Sequence, residues 1–124
     1  SQKELKVVDD QVGSPTWSRA LAETIAQLVA KGHSDPFTWF GERAGLYHLA
    51  GDGQASRLEW AKEVLLLDPR KEEQIVELVM PAKTGDFHTP AQRPLFTALD
   101  CGMFDRVFGL HLPDWRVSLR LALG

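Results

Sequence analysis

The stretch Val7–Trp17 reads VVDDQVGSPTW, and it decides how the rest of this 124-residue chain is organised. Two β-branched valines favour extended backbone, and with Lys6 they predict a short strand over Lys6–Val8. Asp9 and Asp10 end that strand. Gly13-Ser14-Pro15-Thr16 has turn composition, and Thr16 is placed to cap a helix by accepting a first-turn amide on its hydroxyl. Trp17, Leu21, Ile25, Leu28 and Val29 then recur at helical spacing as far as Lys31, where Gly32 closes the helix. A strand, a turn and a helix entrance in this order belong to an α/β protein.

Outward from that stretch, HSDPFTWFGERA (33–44) reads as a loop whose Phe37, Trp39 and Phe40 fold back onto something apolar. Gly45–Gly51, GLYHLAG, has strand composition between glycines. Ser56 and Glu59 form a capping box, each side chain satisfying the other's backbone amide. They start a helix carrying Leu58, Ala61, Val64 and Leu65 that stops at Asp68-Pro69. Gln74–Met80 is expected as a strand, residues 81–94 as a loop, and Phe96–Leu99 as a short strand. Asp100 is a cap for a helix ending at Gly109, and Asp114 for a last helix over Trp115–Leu123. The expected fold class is therefore α/β, with short strands and about four helices. These strands are too few and too separated for a complete doubly wound sheet, so the order points to a fragment.

Composition removes several function classes. Fourteen Lys and Arg against seventeen Asp and Glu give a net charge of −3, which supplies no basic stripe for nucleic acid. No apolar run approaches the roughly 20 residues of a membrane helix. The start SQKELK lacks the pattern of a signal peptide. A single cysteine, Cys101, excludes an internal disulfide and fits a cytoplasmic protein. The absence of an initiator Met points to processing or trimming.

Catalytic and cofactor motifs are mostly missing. Gly51 and Gly53 are the only tight glycine pair, and a dinucleotide-binding turn needs a third glycine where Ser56 stands. There is no phosphate-binding loop. His33, His48, His88 and His111 lie too far apart to share a helix face, and His48 reads as a core histidine. Asp9 and Asp10, projecting to opposite sides if extended, read as strand termination and turn capping. Glu72, Glu73 and Glu77 read as solvated surface. What remains is the polar loop Gln11, Gly13, Ser14 and Thr16, and Arg93, whose neighbouring prolines stiffen the backbone that aims its guanidinium. Such an arginine suits phosphate or carboxylate, but on spacing alone a surface arginine pairing with Asp86 or Asp100 is the stronger reading.

Four blocks together resemble the C-terminal part of the dTDP-4-dehydrorhamnose reductase family of extended short-chain dehydrogenases. They are VVDDQVGSPTW (7–17), GLYHLAGDGQASRLEWAKEVL (45–65), TPAQRPLFTALDCGMFDRVFG (89–109) and LPDWRVSLRLAL (112–123), in the family's order and separations. The resemblance runs from about Leu5 to Leu123 and is weakest around Arg70–Leu78. It implies that residues 1–124 are a single C-terminal substrate-binding fragment lacking the Rossmann half. It implies an NADPH- or NADH-dependent enzyme reducing dTDP-4-dehydro-L-rhamnose, with no cofactor held by this part. The family's Tyr-x-x-x-Lys pair belongs to the N-terminal part: Tyr47 is followed four residues later by Gly51, so no catalytic residue is expected here.

By the same resemblance Arg93 is the leading substrate-binding candidate, near a diphosphate. Gln11 would contact substrate or the edge of the cofactor domain, and Gly13 and Pro15 would shape the loop. No metal is expected, since Arg19 stands in the helix after PTWS. Trp17, Trp60 and Trp115 read as packing. The partners implied are a dTDP-sugar and the missing Rossmann half, with self-association through the face that half would cover. Two alternatives share the fold: a non-catalytic subunit like the regulatory β subunit of methionine adenosyltransferase, and a sister reductase of another dTDP-4-keto-6-deoxysugar.

Overall fold

The computed structural model describes residues 3–124. Strand β1 (Glu4–Val8) pairs in parallel with β4 (Leu78–Ala82), Glu4 opposite Leu78 and Val8 opposite Ala82. The amide of Leu78 donates to Lys3 O and that of Asp9 to Ala82 O. This phase turns the even-numbered residues of β4 towards β1 and leaves Pro81, which has no N–H to give, on the other side. The strand expected over Gln74–Met80 is thus shifted towards the C-terminus, and a 3₁₀ turn over Lys71–Glu73 precedes it.

After the aspartates, β2 (Val12–Gly13) pairs antiparallel with β3 (Ala55–Ser56). On its other side the Val12 amide donates to Leu95 O at 2.7 Å and the Thr97 amide to Val12 O at 2.8 Å. The strand expected at Phe96–Leu99 is reduced to this single bridge. Gly45–Gly51 forms no strand at all, and His48 is exposed rather than in the core.

The described residues also form five α-helices: α1 (Ser18–Lys31), α2 (Pro36–Glu42), α3 (Arg57–Leu67), α4 (Gly102–Phe108) and α5 (Trp115–Leu123). Helix α2 replaces the expected loop. Asp35 accepts the Thr38 amide and Pro36 occupies the first turn, where a missing N–H costs nothing. The capping box of α3 forms as expected, with Glu59 N–H to Ser56 Oγ at 3.1 Å and Ser56 N–H to Glu59 Oε1 at 3.0 Å. Asp114 accepts the Arg116 amide at 2.9 Å, and Gly109 ends α4 at φ 66°. Asp100 accepts the Gly102 amide, although the cap position itself falls on Cys101.

The core lies at the C-terminal side. Phe104, Phe108, Leu112 and Trp115 are buried. The rings of Phe104 and Phe108 stand 4.9 Å apart, with Tyr47 5.0 Å and Trp39 5.8 Å from Phe108. Of the three aromatics expected to fold inward, Trp39 and Phe40 do, while Phe37 is 93% exposed. Helix α3 packs on the β1–β4 pair, where half-buried Leu5, Val7 and Val79 alternate with exposed Lys6, Leu78 and Met80. Among the described residues no helix is long and apolar enough to cross a membrane.

Candidate functional site

The loop that follows β1 shapes a cleft of about 750 Å³. Gln11 to Thr16 form one wall, the start of α3 with Arg57 and Trp60 another, and Arg93, Pro94 and Thr97 the third. The tight approach of these segments depends on glycine. A Cβ at Gly51 would stand 2.1 Å from Pro15 O, and one at Gly13 would stand 3.0 Å from Thr97 Oγ1. Both loop-shaping candidates, Gly13 and Pro15, thus lie where chain segments cross.

Thr16 is not the cap of α1. Trp17 takes that position without a side-chain bond. The Thr16 hydroxyl donates to Ser14 O at 2.8 Å and accepts the Gly51 amide at 3.0 Å. A local helix signal is overridden by a tie across 35 positions, which staples the loop to the segment leading into β3. Ser14 Oγ accepts the Leu99 amide at 3.0 Å and secures the third wall. Trp60, expected as packing, is 44% exposed and lines the cleft, whereas Trp115 is buried and Trp17 half-buried.

Asp9 and Asp10 do more than end a strand. Lys83 Nζ donates to Asp9 Oδ1 at 2.7 Å, and Asp10 takes the Thr84 amide at 3.0 Å and the Thr84 hydroxyl at 2.7 Å. These bonds clamp the turn after β4 to the turn after β1. The Thr84 hydroxyl first, then the Thr84 amide and the Lys83 charge, hold the Asp10 carboxyl below the ordinary 3.8, against the opposing effect of desolvation. The Lys83 ammonium is in turn raised by its bond to Asp9.

Gln11 sits at the centre of this construction. Its Nε2 donates to Thr84 Oγ1 at 3.1 Å, its Oε1 accepts Arg57 Nε at 3.0 Å, and its carbonyl accepts the Arg57 amide at 3.1 Å. Gln11, Arg57 and Arg93 line both this cleft and a smaller one of about 450 Å³ beside β1. Arg93 is exposed and makes no ion pair among the described residues, with Asp86, Asp100 or any other carboxylate. No carboxylate lines either cleft. The arrangement suits an anion. Arg57 and Thr97 were not singled out from the sequence, and Trp60 was read there only as packing; Arg57 is legible only once β3 and the loop are placed side by side.

The turn from Gly51 to Ser56 lacks the open backbone of a dinucleotide-binding turn. Gly51 is filled by Pro15 O, Gly53 (φ 83°) faces the Asp114 carboxylate at 3.1 Å from a built Cβ, and the Ser56–Glu59 box occupies the helix entrance behind them. Tyr47 is no proton donor to a ligand: its hydroxyl donates to Arg43 O at 2.6 Å and its ring packs on Phe108. Among the described residues no three His, Cys, Asp or Glu side chains converge as metal ligands.

The sequence profile of the RmlD substrate binding domain matches residues 1–124. The chain belongs to that family. A dTDP-4-dehydrorhamnose reductase of Burkholderia thailandensis is 31% identical over 131 residues, covering 98% of this chain and 42% of the relative. The solved reductase of Clostridium acetobutylicum superposes on this RmlD-type domain with a TM-score of 0.75 at 28% identity, over 96% of this chain and 37% of that one. The Bacillus anthracis enzyme, solved in complex with NADP, gives 0.74 at 29% identity, over 97% and 37%. The chain therefore spans about two fifths of the length of the relatives it matches. The mixed α/β architecture of five helices and short strands is the corresponding part of those reductases.

Proposed function

We propose that residues 1–124 act as one substrate-binding unit of an oxidoreductase that reduces dTDP-4-dehydro-L-rhamnose to dTDP-L-rhamnose in the cytoplasm. The observation that carries this reading is the cleft walled by the Gly-Ser-Pro-Thr loop, with two guanidinium groups and no carboxylate, in an RmlD-type domain. A nucleotide sugar brings a diphosphate, and planar guanidinium forks match its oxygens. The reduced nicotinamide, NADPH or NADH, and the proton donor belong to a Rossmann portion outside these residues, so this stretch alone is inactive. That portion covers the exposed face of β1 and β4, which otherwise favours self-association.

Arg93 binds the substrate, and Gly13 and Pro15 set the shape of the loop. The test is the variant Arg93→Ala in the protein made from its complete reading frame. KM for the dTDP-sugar is expected to rise about tenfold, the loss of a charge-assisted hydrogen bond, with kcat changed much less. An unchanged KM overturns the assignment of Arg93. Absence of any dTDP-sugar reduction by the wild-type protein with either nicotinamide overturns the reductase reading.

A further inference from the structure

The cleft has a second cation that neither motif nor spacing pointed to. Arg57 opens α3, and Gln11 holds it twice, by carbonyl to its amide and by carboxamide to its Nε. The orientation of that carboxamide is fixed from behind. The Thr84 hydroxyl gives its only hydrogen to Asp10 at 2.7 Å, so towards Gln11 it can only accept. The amide nitrogen of Gln11 must therefore face Thr84 and its oxygen must face Arg57. A chain of bonds, Asp10 to Thr84 to Gln11 to Arg57, anchors an exposed arginine before any ligand arrives. Ordering a long side chain in advance lowers the entropic cost of binding.

Of the Arg57 guanidinium, only Nε is engaged by a hydrogen bond among the described residues, which leaves both Nη groups for a ligand. Arg57 makes no ion pair among the described residues, and it borders both clefts together with Arg93. Two unpaired guanidinium groups on different walls of one cleft, with no carboxylate lining it, call for a ligand that carries more than one negative charge.

We propose that Arg57 is a second anion-binding residue of the cleft, held in place by Gln11, and that together with Arg93 it takes the diphosphate of the nucleotide sugar. Gln11 is then a positioning residue rather than a substrate contact. This rests on the nucleotide-sugar reading above, and the test separates the two.

The dissociation constants of dTDP and of thymidine are measured by calorimetry, at low and high salt, on the protein from its complete reading frame. Arg57→Ala is expected to weaken dTDP about tenfold, to leave thymidine within about twofold, and to flatten the salt dependence of dTDP binding. Arg57→Lys recovers only part of the loss, because an ammonium cannot reproduce the fork. Gln11→Glu weakens dTDP more than Gln11→Ala does, since a carboxylate there would neutralise Arg57. In an Arg57→Ala background Gln11→Ala has no further effect.

Unchanged dTDP affinity in Arg57→Ala, with a loss in Arg93→Ala, overturns the role of Arg57 and leaves the nucleotide site standing. An equal loss of dTDP and thymidine in Arg57→Ala also overturns it, because it marks a structural effect. Failure of the wild-type protein to bind dTDP removes the nucleotide-sugar reading and this proposal together.

Discussion

The two sides of this molecule are finished to different degrees. At the C-terminal side, Trp115 is 2% exposed and Leu112 1%. Main-chain bonds close the seam there, with Asp52 N–H to Pro113 O at 3.1 Å and Trp115 N–H to Asp52 O at 3.0 Å. At the sheet side, β1 and β4 form only a parallel pair, and Leu78, Met80, Phe87, Leu95 and Phe96 remain exposed or half-exposed. Parallel strands ordinarily occur in larger sheets covered on both faces, and two strands alone are marginal in water. The contrast separates a closed core from a strand pair whose apolar side chains stay exposed. The candidate cleft lies beside the open side, where a ligand can touch this chain and whatever covers the sheet.

The comparison can be broken at its strongest point first. Trp115→Ala should cost about 3–5 kcal/mol, the range for emptying a buried aromatic site, read from denaturant unfolding of the 124-residue chain. A cost below about 1 kcal/mol would mean that the C-terminal core is not the part that holds the fold.

The clamp between the two turns gives a smaller, pH-dependent effect. Asp10 titrates lower in the folded chain than its ordinary 3.8. Its contribution to stability is therefore fully present above the ordinary carboxylate range and is lost as pH falls through the lower folded value. Asp10→Asn should remove that part of the acid slope while leaving the other carboxylates to titrate. Unfolding midpoints followed across the acid range would show it, and an unaltered slope would rule the clamp out as a source of acid sensitivity.

The smallest effect is expected on the open face. Leu78→Thr puts a β-branched residue, which extended backbone favours, into β4 and removes apolar surface that is already 49% exposed. It should change the stability of the chain by no more than about 0.5 kcal/mol. A much larger loss, growing with protein concentration, would show that a second copy covers this face in solution.

Reading the sequence succeeded where a signal is local. Ser56 with Glu59, Asp114, and Gly109 after α4 each act within one helical turn of their own position, so their chemistry is visible in a short window. Helix α2 carried such a signal too, Asp35 followed by Pro36, but the segment around it was read as a loop. The sequence named the loop and Arg93, which the structure brings to one cleft, and gave no sign of Arg57 beside them. That residue gains its place from Gln11, 46 positions earlier, and through it from Thr84, 73 positions from Gln11.

The sequence by itself determined the α/β class, the Ser56–Glu59 and Asp114 caps and the family blocks, because these depend on side-chain type at fixed short spacing. The tertiary structure alone decided that Thr16 serves the Gly51 amide instead of a helix, that Gly45–Gly51 stays unpaired, and that Gln11 turns its oxygen to Arg57. In each case a polar group has several partners within its reach as a free chain. Only the packing of distant segments removes all but one.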